Sequence, residues 1–488
     1  MTPPPSNTRA LPRDTRRAIR YKRRAMDRLA RRHPGLAATA VWALLHAACT
    51  PLVGSAPTLD ISDGTAPQDV ADVAPPDVAP DAACPRPDAG LAPGAPDPTY
   101  RGGRFPTPGG YFQVRGAALD ARGRVYVYGA VPNCVDARSN LDLTVVRHRE
   151  DGALDEGFGE GGRACWDGPL PDAQLDEAMA ATVDARGRLY LVGYSSPGGP
   201  ADTIVARLDE GGRFDPTFNG GRVLLLRPAP PGLPLSTSAR GIVADDRGAY
   251  VAGYNGTYGW AVRLADDGSA DEAFARSPAA LDVSVQGWFA FTRAGDALLL
   301  AGVRRTDGAL VVRRVGLDGA VDAAFGEGGY AVAPPLASPR PLAVSARPGG
   351  DVTVAAASGS ADVNAMRATA VRFTAAGAVA RGFAASGVYT SSSYLQPDYE
   401  AHVLAAECGA SLLLGGTRHA TATMTYGAVE RLDARGAPDP RFGTAGAVYG
   451  TVPTEGIAAV LVHPATGWIY VVTRDGNNDH YSVQRYAP

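Results

Sequence analysis

From about residue 97 onward the chain alternates apolar and polar positions with a period of two, the pattern of half-buried β-strands, and Asp/Gly turns interrupt it at short intervals. In GAALDARGRVYVYGA (116–130), AATVDARGRLYLVGY (180–194) and GIVADDRGAYVAGYN (241–255), an alternating run enters Asp-x-x-Gly and a Val/Tyr/Leu-rich run leaves it. Asp opens such a turn by bonding its own backbone and Gly takes the positive φ, so each segment predicts a strand–turn–strand. A second pattern alternates with the first: a V-x-R strand, a Gly turn, Asp-x-x-Phe, then small residues, as in VVRHREDGALDEGFGEGG (145–162), VARLDEGGRFDPTFNGG (205–221) and VERLDARGAPDPRFGTAG (429–446). Together they predict about four short strands per repeat of about 50–60 residues, a period that belongs to solenoids, propellers or arrays. No segment reads as a long amphipathic helix.

The repeat can be followed residue by residue. Its aromatic anchor falls at Phe158, Phe218, Phe274, Phe325, Phe383 and Phe442. A strand arginine precedes the Asp by eight positions in Arg147/Asp155, Arg207/Asp215, Arg263/Asp271, Arg314/Asp322 and Arg431/Asp439, whereas Arg372 faces Ala380 in the fifth copy. The sequence stops at YSVQRYAP, a V-x-R strand with Arg485 and no Asp-x-x-Phe half. The matching half, Asp97-Pro98-Thr99-Tyr100-Arg101-Gly102-Gly103, stands at the start of the repeat region. Six internal copies and one split copy predict an all-β, seven-bladed β-propeller over residues 97–488, closed by pairing of the N- and C-terminal strands in one blade, because closure removes the exposed sheet edges. The Asp-x-x-Phe-Gly pattern resembles the delta-60 repeat, a family of bacterial β-propeller repeats with an A-x-R-Y strand and D-G-x-L-D-x-x-F-G-x-x-G. That resemblance implies a propeller in an extracytoplasmic setting and no particular activity.

The first hundred residues follow another pattern. Residues 36–48, LAATAVWALLHAA, form an apolar run too short to span a bilayer, preceded by basic and followed by small residues. This is a signal-peptide layout for residues 1–48. Ala47-Ala48-Cys49 resembles a bacterial lipobox with His46 where Leu is usual, which makes Cys49 the expected lipidation site and ordinary cleavage after Ala48 the alternative. Met26 is read as the initiator, because starting there shortens an overlong basic region. Residues 49–96, rich in Ala, Pro and Asp, are read as a disordered spacer that cannot bury enough apolar surface to offset its ordering entropy.

Charge and chemistry narrow the function. Residues 1–35 carry a net +9 within an overall −3, so the remainder carries −12. Such a body lacks the clustered cations that nucleic acid requires. Lys22 is the only lysine, a skew read as genomic composition. The Arg/Asp pairs read as blade scaffolding, because Ala380 breaks the series, and the Phe anchors as core. Trp166, Trp260, Trp288 and Trp468, with Tyr194, Tyr254 and Tyr258, read as blade packing in preference to sugar stacking.

Asp475-Gly476-Asn477-Asn478-Asp479 alternates oxygen ligands as a Ca²⁺ loop does but lacks the later Gly and Glu, and is read as a structural loop; Ca²⁺ is the one cofactor considered and no catalytic or metal residue is assigned. The seven His show no zinc spacing, and no nucleophile elbow, P-loop or dinucleotide fingerprint is present. Of five Cys, Cys134 and Cys165 are the expected disulfide. Cys84 and Cys408 are left unassigned. The expectation is an exported, lipid-tethered, non-enzymatic binding module for a protein or glycan ligand, touching the membrane through its anchor alone. The alternatives are a hydrolase or lyase acting on polysaccharide or lactone at a central channel, and a structural envelope component.

Overall fold

The computed structural model describes residues 90–488, apart from 108–109, 133, 135–140, 171–174, 197–200, 227–236, 360–365, 385, 395–404, 409–410, 420–424, 451–455 and 476–477. The leader, Met26, Cys49 and the spacer up to residue 89 lie outside the described residues. What is described is all-β, with one helical turn at Glu272–Ala275 capped by Asp271.

The strands form successive four-stranded antiparallel meanders. After β1 (Gly103–Pro106), one meander is β2 (Gln113–Leu119), β3 (Val125–Pro132), β4 (Leu141–His148) and β5 (Arg163–Trp166). The next is β6 (Leu175–Val183), β7 (Leu189–Ser196), β8 (Asp202–Leu208) and β9 (Leu224–Leu226). Then come β10 (Ser238–Asp245), β11 (Gly248–Tyr254), β12 (Gly259–Ala265) and β13 (Leu281–Asp282). They are followed by β14 (Val285–Ala294), β15 (Ala297–Arg304), β16 (Leu310–Gly316) and β17 (Tyr330–Val332). Next are β18 (Arg340–Ala346), β19 (Val352–Ser358), β20 (Arg367–Phe373) and β21 (Val388–Tyr394). β22 (Ala405–Cys408), β23 (Ser411–His419), β24 (Thr425–Leu432) and β25 (Ala447–Tyr449) follow. Finally β26 (Gly456–Val462), β27 (Ile469–Arg474) and β28 (His480–Tyr486) take β1 as their fourth strand, Gly103 opposite Val483 and Pro106 opposite His480.

Each meander packs its apolar face on the next. Tyr126, Val145, Leu189 and Ile204 share one cluster across two meanders, and Val125, Val127, Val472 and Val483 join the last meander to β2–β5. The first strands touch in order, and β26 packs on β2.

The chain ends meet in the β26–β28–β1 sheet. Asp97 N–H donates to the Arg485 carbonyl at 2.9 Å and Thr107 N–H to the Asp479 carbonyl at 2.9 Å. Packing begins before Asp97: Gly94 N–H bonds the Ala487 carbonyl, and Gly443 N–H bonds the Pro93 carbonyl, each at 2.9 Å. The boundary expected after residue 96 therefore falls inside a packed segment. The reason is legible afterwards: Gly94–Tyr100 (GAPDPTY) repeats Gly436–Phe442 (GAPDPRF). Buried His148 of β4 spans the same seam, its Nε2 2.9 Å from the Tyr481 hydroxyl.

Candidate functional site: the bulged first strands

The geometry of the repeated charged residues removes them from the candidate site. Arg147–Asp155 (2.7 Å), Arg207–Asp215 (2.8 Å), Arg263–Asp271 (2.9 Å), Arg314–Asp322 (2.6 Å) and Arg431–Asp439 (2.9 Å) are ion pairs within their own repeats, and Arg485 pairs with Asp97 across the chain ends. Each of these guanidiniums except that of Arg263 lies over its aromatic anchor: 4.5 Å from Phe158, 4.9 Å from Phe218, 4.4 Å from Phe325, 4.7 Å from Phe442 and 4.7 Å from Tyr100. Several then reach the following repeat. Arg207 donates to the Asp266 carbonyl, Arg314 to the Ala375 carbonyl and Arg485 to the Glu150 carbonyl.

The backbone after the anchor is tied to the same turn, as in Gly159 N–H to Gly211 carbonyl and Asn219 N–H to Asp267 carbonyl, both at 2.8 Å. The turn glycine packs so closely that a Cβ at Gly436 would lie 2.7 Å from Phe383 Cε2, with φ at +76° besides. These residues clamp repeat to repeat. Where Asp is missing, Arg372 Nε donates to Thr353 Oγ1 at 3.0 Å and its ring contact with Phe383 persists at 4.2 Å.

The candidate site lies elsewhere, at the beginnings of the first strands. Six of them carry a β-bulge at the same repeat position, which places Arg115, Met179, Arg240, Phe289, Leu342 and Ala458 out of register. A bulge re-aims a side chain and sharpens the twist. The neighbouring strand accommodates it with a glycine: a Cβ at Gly129, Gly193 or Gly253 would lie 2.0, 1.8 or 2.1 Å from the carbonyl of Gln113, Glu177 or Ser238. That is why Gly recurs inside an otherwise β-branched strand, where it weakens local propensity.

These positions differ around the repeats. Arg115 is forked onto Glu177 of the next meander, Nη2 to Oε2 at 2.9 Å, and the Tyr194 hydroxyl donates to the same oxygen at 2.6 Å. Arg240 donates to the Tyr254 hydroxyl at 3.0 Å and lies 5.3 Å from its ring, and Tyr254 in turn contacts Phe289 at 5.3 Å between ring centroids. β2, β6 and β7 therefore bring Arg115, Glu177 and Tyr194 together, and β10, β11 and β14 bring Arg240, Tyr254 and Phe289 together. On β6, β18 and β26 the bulged position holds Met179, Leu342 and Ala458. Such an arc offers hydrogen-bond donors and acceptors beside half-buried rings, a surface that suits a polar ligand with a flat or ring-shaped face.

The remaining sequence candidates are placed as follows. Trp166, Trp260 and Trp288 are buried in the core, which agrees with packing. The Sγ atoms of Cys134 and Cys165 are in bonding contact with Cα atoms 6.3 Å apart. Asp475, Asp479 and His480 bring one ligand atom each within 4.8 Å of the others, while Gly476 and Asn477 lie outside the described residues. Arg104 already occupies Asp475 at 3.3 Å and His480 Nδ1 lies 2.9 Å from Asp479. The bulge arc and its paired glycines were not singled out from the sequence. The signal was present as R-G or M-A following an alternating run, but alternation alone does not mark an extra residue.

A family described as "Domain of unknown function (DUF5122) beta-propeller" matches residues 187–218. No curated protein matches. Solved structures with similar folds include that titled "Crystal Structure of Mitotic Checkpoint Complex" (10% identity, TM-score 0.41, covering 90% of this chain and 100% of that one). Others are a protein of unknown function from Dyadobacter fermentans DSM 18053 (12%, 0.41, 80% and 100%) and the Nup133 β-propeller domain of Vanderwaltozyma polyspora (9%, 0.40, 76% and 93%). At these TM-scores the three likenesses carry no argument about function.

Proposed function

We propose that the β-propeller formed by this chain is a non-enzymatic binding module that takes its ligand at the bulged mouths of the first strands, Arg115, Tyr194, Arg240, Tyr254 and Phe289 forming the contact arc and the buried Glu177 bracing Arg115 and Tyr194 from beneath. The observation that carries this reading is the asymmetry of one repeat position: Arg115 on β2, Arg240 on β10 and Phe289 on β14, against Met179, Leu342 and Ala458 on β6, β18 and β26. A position serving the scaffold alone has no reason to vary in that way, and the Arg/Asp/Phe clamp, which does serve the scaffold, stays nearly constant. Arg115 is held by Glu177 and Arg240 by Tyr254, an arrangement suited to hydrogen bonding of a ligand more than to proton transfer.

The same reading makes the fold a ring of seven blades of delta-60-like repeats, closed by β1 against β28. The contact of β26 with β2 and the Gly443–Pro93 and Arg485–Asp97 bonds support it. It also places the protein outside the cytoplasm on a lipid at Cys49, supported by the leader pattern. A glycan is the ligand class favoured, since half-buried rings bordered by arginines suit sugar faces and hydroxyls.

The experiment is glycan-array binding by the purified chain, the Tyr254→Ala and Arg240→Ala variants, and Asp322→Asn as a scaffold control. Loss of a specific signal in the first two with retention in the third is expected. Equal binding by all sinks the arc as the site, and cleavage of a bound glycan replaces binding with the hydrolase or lyase reading. Fractionation of Cys49→Ala cells checks the anchor: the protein leaves the membrane fraction if Cys49 is acylated.

A further inference from the structure

Asp176 is the group least explained by the scaffold. It has no exposed surface, and neither carboxylate oxygen has a hydrogen-bond donor in proper geometry. A buried carboxylate left in that state is tolerated only when a proton or a cation compensates it.

Its surroundings are oxygen-rich. Asp176 of β6 is paired with Ser195 of β7, and Ser195 with Asp202 of β8, so the three share one face of the sheet. Ser195 is also fully buried and its Oγ is unbonded. The two groups converge on Gly168: a Cβ there would lie 1.9 Å from Asp176 Oδ1 and 2.9 Å from Ser195 Oγ. The preceding meander supplies Asp142, brought alongside by the Leu141–Leu175 bridge and fixed through its Oδ2 by the Cys134 N–H at 2.6 Å. Burial raises the Asp176 pKa. The Ser195 hydroxyl and Gly168 amide pull it down without forming good hydrogen bonds, and Asp167 and Asp142 push it up again. Acidic groups are thus crowded together in the buried interior.

We propose that Asp176, Ser195 and Asp142 hold a hard divalent cation of the Ca²⁺ type where the β2–β5 and β6–β9 meanders meet. The side chains offer oxygen alone, neither thiolate nor imidazole, which selects Ca²⁺ over Zn²⁺. The cation supplies the charge that Asp176 lacks and ties β4 to β6 and β7 beside Glu177, which braces Arg115 of the binding arc. The site is separate from Asp475, Asp479 and His480, where the Arg104 guanidinium already sits on a carboxylate.

The test is calorimetric titration of the EDTA-treated full chain with CaCl₂, with thermal unfolding in Ca²⁺ and in EDTA. Saturable binding and a higher Tm in Ca²⁺ are expected for the wild type and for Asp475→Asn. Affinity should fall at least tenfold in Asp176→Asn and several-fold in Ser195→Ala. The absence of Ca²⁺ binding overturns the proposal and identifies Asp176 as a neutral carboxylic acid, which the amide of Asn imitates. Binding that survives Asp176→Asn overturns it as well. If Asp176→Asn does not fold, Ser195→Ala decides: unchanged Ca²⁺ affinity refutes the site.

Discussion

Replacing Asp97 by Asn tests whether the meeting of the two chain ends carries the fold. The Asp97 side chain is 3% exposed and that of Arg485 14% exposed. Asp97 Oδ2 accepts from Arg485 Nε at 2.8 Å, and Oδ1 accepts from the Thr99 amide at 2.8 Å and the Thr99 hydroxyl at 2.7 Å. Burial alone would raise this carboxyl's pKa, but the Thr99 bonds and Arg485 outweigh it and hold it below the usual value. Its contribution is therefore present above the carboxylate's ordinary pKa and is lost as pH falls below it. Asn keeps the shape and one acceptor but removes the charge, leaving Arg485 buried with the Glu150 carbonyl and the faces of Tyr100 and Trp468.

Breaking a buried pair costs about 3–5 kcal/mol, and the contacts that Arg485 retains place the expected loss near the lower end, about 3 kcal/mol. The Arg314–Asp322 pair makes the same bond with side chains 25% and 35% exposed, so Asp322→Asn should cost about 1 kcal/mol or less. Urea unfolding followed by near-ultraviolet circular dichroism measures both, and hydrogen exchange should show protection lost first in β1 and β28 of Asp97→Asn. The reasoning is refuted if Asp97→Asn costs no more than Asp322→Asn, or if β1 and β28 keep their protection.

Three further outcomes are expected. Ala380→Asp restores the missing acceptor opposite Arg372 and should raise stability by about 1 kcal/mol, read as a higher urea midpoint; a lower midpoint means the Thr353 bond cannot be exchanged. Burial lowers the His148 pKa to about 4 against the opposing pull of the Gly152 carbonyl, while the unfolded chain takes up its proton near 6.5. Stability is then fully present above about pH 6.5 and falls towards pH 4 by about 3 kcal/mol, a slope that should flatten in His148→Gln. Non-reducing peptide maps should join Cys134 to Cys165, and Cys165→Ser should cost about 3–4 kcal/mol for a loop of 31 residues; separate Cys134 and Cys165 peptides exclude the bond.

Much of the fold was legible because it is local. The Asp-x-x-Gly turns lie where the alternation breaks, with Asp120 accepting from the amides of Arg122 and Arg124 and Asp184 from those of Arg186 and Arg188. The eight-residue spacing of Arg and Asp became an ion pair because both flank one hairpin turn. The split repeat also foretold the pairing of β1 with β28. The candidate site was less legible. Arg115 and Arg240 are the extra residues of their bulges, which period-two patterning cannot register, and Glu177 and Tyr254 occupy ordinary strand positions. Trp166, Trp260 and Trp288, read as packing, are buried, whereas Tyr194 and Tyr254, read the same way, are half-buried beside Arg115 and Arg240, because aromatic character alone does not separate core from surface.

The sequence by itself determined the strands, the turns, the repeat and the identity of the residues that recur, because each depends on neighbours a few positions away. Only the tertiary structure decided what those residues face. The bond of Arg207 to the Asp266 carbonyl, the seating of Phe383 on Gly436, the Arg115–Glu177 fork and the convergence of Asp142 on Asp176 and Ser195 all cross from one meander to another. Their partners are tens of residues apart, and their energies come from burial that exists only once adjacent meanders have packed.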